Sequence, residues 1–382
     1  MKKLLIVLLC CSFVFLAAAC NSKEVTYDYG FDQMKEVFWE SDIVYNESVV
    51  MLKDETGTSG SLMFTPKKIV SVRDYSLEVE YKEGVDWEFR DGKLWMLEGS
   101  SMAYLLRSQL VVQDKADLPE QIANPRPTKD GTGWILFSES AFITMHQIFV
   151  TYTYDNAEWK GPRPTYQGDK LPKTMEKLST GGEFNLLFYG DSIFVGASAT
   201  AQLNCPPFMP RIGDLTKEYF SRDYGCTVNY KNTSKGGQTS RWGIQNVQEL
   251  AVANNPDLMF IGFGMNDGST MQNISVAEYK QNIQGIINAV RAKNPDCEFV
   301  LVGGMLPNPL DVANGIQRDY VPALEQLAEE NSNTVTITMA AIHEEMLKNK
   351  NFIDMSGNNV NHPNDFLIRT YLMNITTIFE KD

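Results

Sequence analysis

Two hydrophobic rhythms divide the chain. From residue 31 to about 158, apolar residues come in short runs: Ile43 to Leu52, Gly60 to Phe64, Ile69 to Val72, Leu77 to Tyr81, Trp87 to Phe89, Lys93 to Leu97, Trp134 to Ser138 and Ile148 to Tyr154. Runs this short, rich in β-branched and aromatic residues and separated by turn residues, predict strands. Arg90-Asp-Gly-Lys93 is a hairpin signal. No helical period competes before Leu171, so this region reads as an all-β sandwich. From Asn185 the rhythm changes. Strand-like runs at 185–189, 226–230, 257–262, 298–303 and 333–338 alternate with helical stretches at 276–292, 316–330 and 364–380. In the first of those helices Ser275 and Glu278 form a capping-box pair, and Tyr279, Ile283, Ile286, Ile287 and Val290 mark one apolar face. The alternation predicts a parallel sheet with helices on both sides. Trp159-Lys-Gly-Pro-Arg-Pro164 marks the boundary, and Lys170 to Leu178 reads as a short helix. The layout is therefore a β domain over 31–158, a linker over 159–182 and an α/β domain over 183–382.

The N-terminus changes where this layout is expected to work. Met1-Lys-Lys precedes an apolar run from Leu4 to Ala19 that meets Cys20. A charged start, an apolar core and small residues read as a secretory signal over 1–19. The run is shorter than the ~18–20 residues of a spanning helix. Leu16-Ala-Ala-Ala-Cys20 resembles a bacterial lipobox, with Ala17 where that motif usually has Leu. It implies cleavage before Cys20, a lipid on its thiol, and a tether over 20–30 holding the protein to the cell envelope, outside the cytoplasm. Cys205, Cys226 and Cys297 remain, an odd number that implies no complete disulfide framework but leaves room for one bridge between two of them in an oxidising compartment. The formal charge of −14 argues against a nucleic-acid partner, which needs a basic footprint. The three histidines, His146, His343 and His362, and the cysteines show no zinc-ligand spacing, so no metal is expected. His343 falls in a helical pattern from Ala340 to Lys348 and is expected on its exposed face; His146 is expected to be structural. Trp87, Trp95 and Trp134 suit core packing better than a sugar-stacking face.

Candidate chemistry begins at Tyr189-Gly-Asp-Ser192, where a buried strand stops and a helix starts. Ligands of open α/β sheets bind outside the carboxyl ends of strands, so Ser192 faces substrate space. By itself Asp-Ser after a strand is more often a helix cap than a nucleophile. Three later stretches change the balance: Ser234-Lys-Gly-Gly-Gln238, Gly264-Met-Asn-Asp267 and Asn359-Val-Asn-His-Pro363. Together and in this order the four blocks resemble the SGNH (GDSL-type) hydrolase family over about residues 183–380, with Ser192, Gly237, Asn266 and His362 at the naming positions. The resemblance implies a three-layer α/β/α, flavodoxin-like hydrolase domain, here preceded by a jelly-roll-like β-sandwich. It also implies Ser192 as nucleophile, His362 as base, and an oxyanion hole from the Ser192 and Gly237 N–H groups and the Asn266 amide; a one-residue shift would exchange Gly237 for Gly236.

One position departs from the family. Where it usually places an Asp three residues before the His, this chain has Asn359. An amide oxygen can accept the ring N–H but carries no charge. The readings are a Ser-His dyad supported by Asn359 or a backbone carbonyl, a substitute acid (Asp354 or Asp365), or lost activity; the dyad is preferred. Asp365 is expected to cap the last helix instead. The implied reaction is hydrolysis of an acyl ester, acetyl above all, on a carbohydrate or other small ester, without cofactor. The alternatives are a glycan-binding lipoprotein on a degenerate scaffold, or a lipase or thioesterase of the same family.

Overall fold

The structure is a computed structural model and describes residues 30–381. The signal segment, Cys20 and the tether before residue 30 lie outside the described residues.

In the N-terminal region the strand Ile43–Val50 pairs antiparallel with Gln147–Thr153, which pairs with Lys68–Arg73 and, through it, Glu80–Tyr81. A second sheet carries, in spatial order, Trp87–Arg90, Lys93–Met96, Gly57–Gly60, Leu52–Asp54 and Leu105–Leu106. Two-residue strands Val111–Val112, Arg126–Pro127 and Trp134–Ile135 form a small third ladder. The Asp-Gly hairpin closes as its sequence predicts: Arg90 pairs with Lys93, and Asp91 and Gly92 both take left-handed φ, at 52° and 73°. A helix at Phe31–Lys35, with Phe31 and Met34 buried, departs from the all-β expectation. The tryptophans are mostly claimed by the protein: Trp87 is buried, Arg90 covers one face of Trp95 and Lys115 one face of Trp134.

From Glu183 onward the strands Glu183–Gly190, Thr227–Asn232, Leu258–Gly262, Glu298–Gly303 and Thr334–Thr338 pair in parallel, in the spatial order second, first, third, fourth, fifth. The order reverses beside the first strand, where its carboxyl end opens a crevice. Helices Ile212–Asp223, Ser240–Leu250, Val276–Lys293 and Val321–Glu330 cover the sheet. At the start of Val276–Lys293 only half of the capping box forms: Ser275 Oγ accepts the Glu278 N–H at 3.2 Å, but the Glu278 carboxylate turns to Arg241.

The two regions share one core. The last helix, Asp365–Phe379, is buried along its whole length, its polar Asp365, Arg369 and Asn374 included. It packs against helix Ile212–Asp223, helix Phe31–Lys35 and strand Ile43–Val50. A continuous apolar cluster runs from Phe31, Trp39 and Tyr152 to Phe188, Phe366 and Phe379. At the seam Lys350 is fully buried, with Nζ 2.6 Å from Glu47 Oε1 and donating to the carbonyls of Ser48 (2.8 Å) and Ser61 (3.1 Å). His343 corrects the sequence expectation. It is wholly buried, its Nδ1 accepts the Leu306 N–H at 3.2 Å, and burial pushes its pKa down to about 3, so it stays neutral. Cys205, Cys226 and Cys297 are all buried free thiols.

Candidate active site

Ser192 is delivered by a strand that ends abruptly. Gly190 lies so close to the third strand that a Cβ would sit 2.2 Å from the Gly262 carbonyl oxygen. Asp191 follows in an extended conformation, and its carboxylate accepts the Ile193 N–H at 3.0 Å, starting the four-residue helix Ser192–Val195. Burial, with Asp267 adding to it, pushes Asp191 up to about 7 against the pull of that N–H. Gly196 ends the turn at φ 73°. The serine is thus the first helical residue at the crevice.

The second and third blocks meet beside it. The loop after Thr227–Asn232 continues along the first strand, with Thr233 and Lys235 N–H donating to Phe188 and Gly190 carbonyls at 3.0 Å each. It brings Gly236 and Gly237 to the cavity wall, and Gly237 takes φ 73°, which favours glycine. The Asn266 amide donates to the Gln238 carbonyl at 2.9 Å, which holds the two blocks together and leaves its second N–H. Asp267, next to it, accepts the Ser240 N–H at 2.9 Å and so caps helix Ser240–Leu250 from another segment.

His362 arrives from a loop. Its Nε2 lies 2.9 Å from Ser192 Oγ across 170 residues of sequence. Asn358 organises that loop: its Oδ1 accepts the N–H groups of Val360, Asn361 and His362, each at 3.0 Å. The orienting role given to Asn359 does not survive. Asn359 stands at φ 62°, its Nδ2 donates to the Leu136 carbonyl at 2.9 Å, and its Oδ1 faces Asn308 Nδ2 at 3.5 Å. Its side chain is spent on the β region rather than on the imidazole. Neither substitute acid reaches the ring. Asp354 accepts the Val50 N–H at 2.8 Å, and Asp365 is taken up by Thr200 at 3.0 and 2.7 Å. The cap of the last helix is Asn364, whose side chain accepts the Leu367 N–H at 3.1 Å, not Asp365.

Sequence reasoning missed Glu139. It comes from the β region, and its Oε2 lies 3.2 Å from His362 Nδ1. The contact is short but off the line of the ring N–H, so Nδ1, which is buried, makes no aligned hydrogen bond among the described residues. Partial burial pushes the Glu139 carboxyl up, but His362, Asn358 and Arg126 outweigh it and hold it below the ordinary carboxylate value. Arg126, also from the β region, is bidentate to the buried Asp311 at 3.0 Å for both bonds and crosses the seam beside the site. No periodicity marks either residue: Ser138-Glu-Ser140 is a short polar stretch like many others. Ser192, Gly237, Asn266 and His362 line one cavity of about 360 Å3, walled by Arg126, Glu139, Asp311 and Asn361 on its polar side and by Phe137, Met265 and Val360 on its apolar side. Among the described residues no group of His, Cys, Asp and Glu is arranged to hold a metal ion.

Residues 188–366, which carry all four blocks, match the family model for the GDSL-like Lipase/Acylhydrolase family. The chain carries a GDSL-like acylhydrolase domain. A search of the curated proteins found no match. Among solved structures, the chain is similar to a two-domain esterase (CEX) active on acetylated mannans, at 19% identity and a TM-score of 0.44, over 58% of this chain and 55% of that one. It is also similar to Axe2, an acetylxylan esterase from Geobacillus stearothermophilus, at 18% identity and a TM-score of 0.43, over 53% of this chain and 97% of that one. The match thus spans little more than half the length of the two-domain esterase. Within the acylhydrolase domain, the Gly-Asp-Ser turn stands at its start and the His loop near its end.

Proposed function

We propose that the protein is a serine esterase that removes a short acyl group, acetyl in the simplest case, from a hydroxyl-rich alcohol such as a carbohydrate. The observation that carries this is the 2.9 Å approach of His362 Nε2 to Ser192 Oγ inside the cavity. Ser192 Oγ attacks the acyl carbon while Nε2 takes its proton. The negative oxygen is received by the Ser192 and Gly237 N–H groups and the free N–H of Asn266. Collapse breaks the bond to the alcohol, which leaves with the proton from the imidazolium. Water, deprotonated by the same imidazole, then attacks acyl-Ser192 and releases the carboxylic acid and the free serine. The wall formed by Arg126, Asp311 and Asn361 suits a polar alcohol, and the cavity volume suits a short acyl chain better than a lipid.

The test is hydrolysis of p-nitrophenyl acetate and of acetylated xylan by the full chain and by Ser192→Ala. The expected result is turnover that falls about 10⁴-fold or more in the variant. Equal turnover by Ser192→Ala overturns the mechanism. Tight glycan binding with no turnover by the wild-type protein would favour a carbohydrate-binding role on this scaffold. The cell-envelope placement rests on the lipobox-like Leu16 to Cys20 alone. It predicts that Cys20→Ser moves the protein out of the membrane fraction.

A further inference from the structure

For Nε2 of His362 to accept the serine proton, the resting ring must carry its own proton on Nδ1. That N–H is buried and has no aligned acceptor. A buried donor without a partner is costly, so one is expected to be close by. The one carboxylate within ion-pair distance among the described residues is Glu139, at 3.2 Å. We infer that Glu139, a residue of the β region, is the positioning carboxylate of His362. This inference rests on the Ser192–His362 reading of the site and takes the role that the family usually gives to an acid three residues before the histidine.

One hydrogen bond and two neighbouring groups hold Glu139 in place. Its Oε1 accepts from Asn358 Nδ2 at 3.3 Å. Asn358 is the residue that also binds the His362 N–H, so one side chain sets both the imidazole's backbone and its carboxylate. Asn359 Nδ2 ties down the Leu136 carbonyl, three residues before Glu139. The residue standing where the family has its acid therefore anchors the segment that supplies the acid from elsewhere. Arg126, held by Asp311 across the same seam, keeps positive charge near Glu139 and favours its ionised form. The carboxylate is about half exposed, which leaves it room for the modest side-chain rotation that aligns Oε2 with the ring N–H. Its role is to fix the tautomer and to steady the imidazolium from the cavity wall, and no bond is made or broken at the carboxylate itself.

Glu139→Gln keeps the shape and removes the charge. The expected result is a kcat lowered about 10- to 100-fold with KM nearly unchanged, less than the ~10⁴ seen for a fully buried triad acid because solvent screens this one. Glu139→Asp is expected to fall between the two. The second readout needs no substrate. With only three histidines in the chain, the Nδ1 proton of His362 can be followed by NMR in histidine-labelled full-length protein. It is expected downfield in the wild type and moved upfield in Glu139→Gln. An unmoved resonance overturns the inference, whatever the kinetics do. If Glu139→Gln keeps kcat within twofold while Ser192→Ala is dead, the positioning role falls and the esterase reading stands. If the wild type hydrolyses no ester, the esterase reading falls, and the resonance alone decides the contact.

Discussion

Ser192 and His362 meet at one point, but they are held by different kinds of structure. Ser192 sits at the end of a central strand, within a turn whose hydrogen bonds stay inside the parallel-sheet region: Asp191 to Ile193, and the Thr233 and Lys235 amides to the strand itself. His362 lies on a stretch with little regular structure, braced by its own asparagines and stapled to the β region. Gln147 Nε2 donates to the Ile353 and Ser356 carbonyls at 3.1 and 3.2 Å, and Asn364 Nδ2 to Gln147 Oε1 at 3.1 Å. Arg369 donates to the Tyr45 and Asn46 carbonyls at 2.7 and 2.8 Å. The nucleophile's geometry belongs to the acylhydrolase sheet, whereas the base's geometry belongs to the seam between two regions. Damage to the β region should therefore reach the chemistry through the histidine and leave the serine turn intact.

The comparison is broken most severely at Lys350. Lys350→Met removes the cation from Glu47, which would keep only the Tyr152 hydroxyl and the Met63 N–H. An uncompensated buried carboxylate predicts a loss of about 3–5 kcal/mol. Urea unfolding checks it, and because the core is continuous the two regions should unfold in one transition. Two separate transitions would mean that the shared core does not couple them. On the serine side, Asn266→Ala is expected to cost about 10²–10³ in kcat, because it removes one oxyanion donor, while the urea midpoint falls only by the loss of the single bond to the Gln238 carbonyl. A loss confined to KM would exclude that role.

The smallest effect is also the most discriminating. Asn359→Asp restores the family's usual acid by sequence, and an orienting role there predicts faster turnover. The structure predicts the opposite. The aspartate loses the bond to Leu136, sets its charge against that carbonyl and Asn359's own buried surroundings, and loosens the Glu139 segment. A kcat decrease of about 5- to 10-fold is expected, in line with one lost hydrogen bond of ~1 kcal/mol. A rise in kcat would return the orienting role to position 359.

Much of this architecture was legible because it is written in short-range chemistry. A period of two against a period near 3.6 separated the β region from the α/β domain. Each of the four blocks lies where a strand or a loop must turn, and it was their order and their resemblance to the SGNH family that singled out Ser192, Gly237, Asn266 and His362 without coordinates. His343 shows where that reasoning stops. Its seven-residue helix Ala340–Met346 looks half-exposed in isolation, and only the packing of neighbouring segments buries it. Asn359 shows the same limit from the other side. Its place in a motif suggested a role, and its partner, Leu136, is on another region of the chain.

By itself, then, the sequence determined the two layer types, which depend on residues a few positions apart, and the order of four blocks whose resemblance to a known family named the nucleophile and base candidates. Only the tertiary structure decided what stands behind the imidazole. A carboxylate's value to a histidine depends on distance and alignment in space, and nothing in a short Ser-Glu-Ser stretch encodes the 3.2 Å that separates Glu139 from a ring more than two hundred residues away.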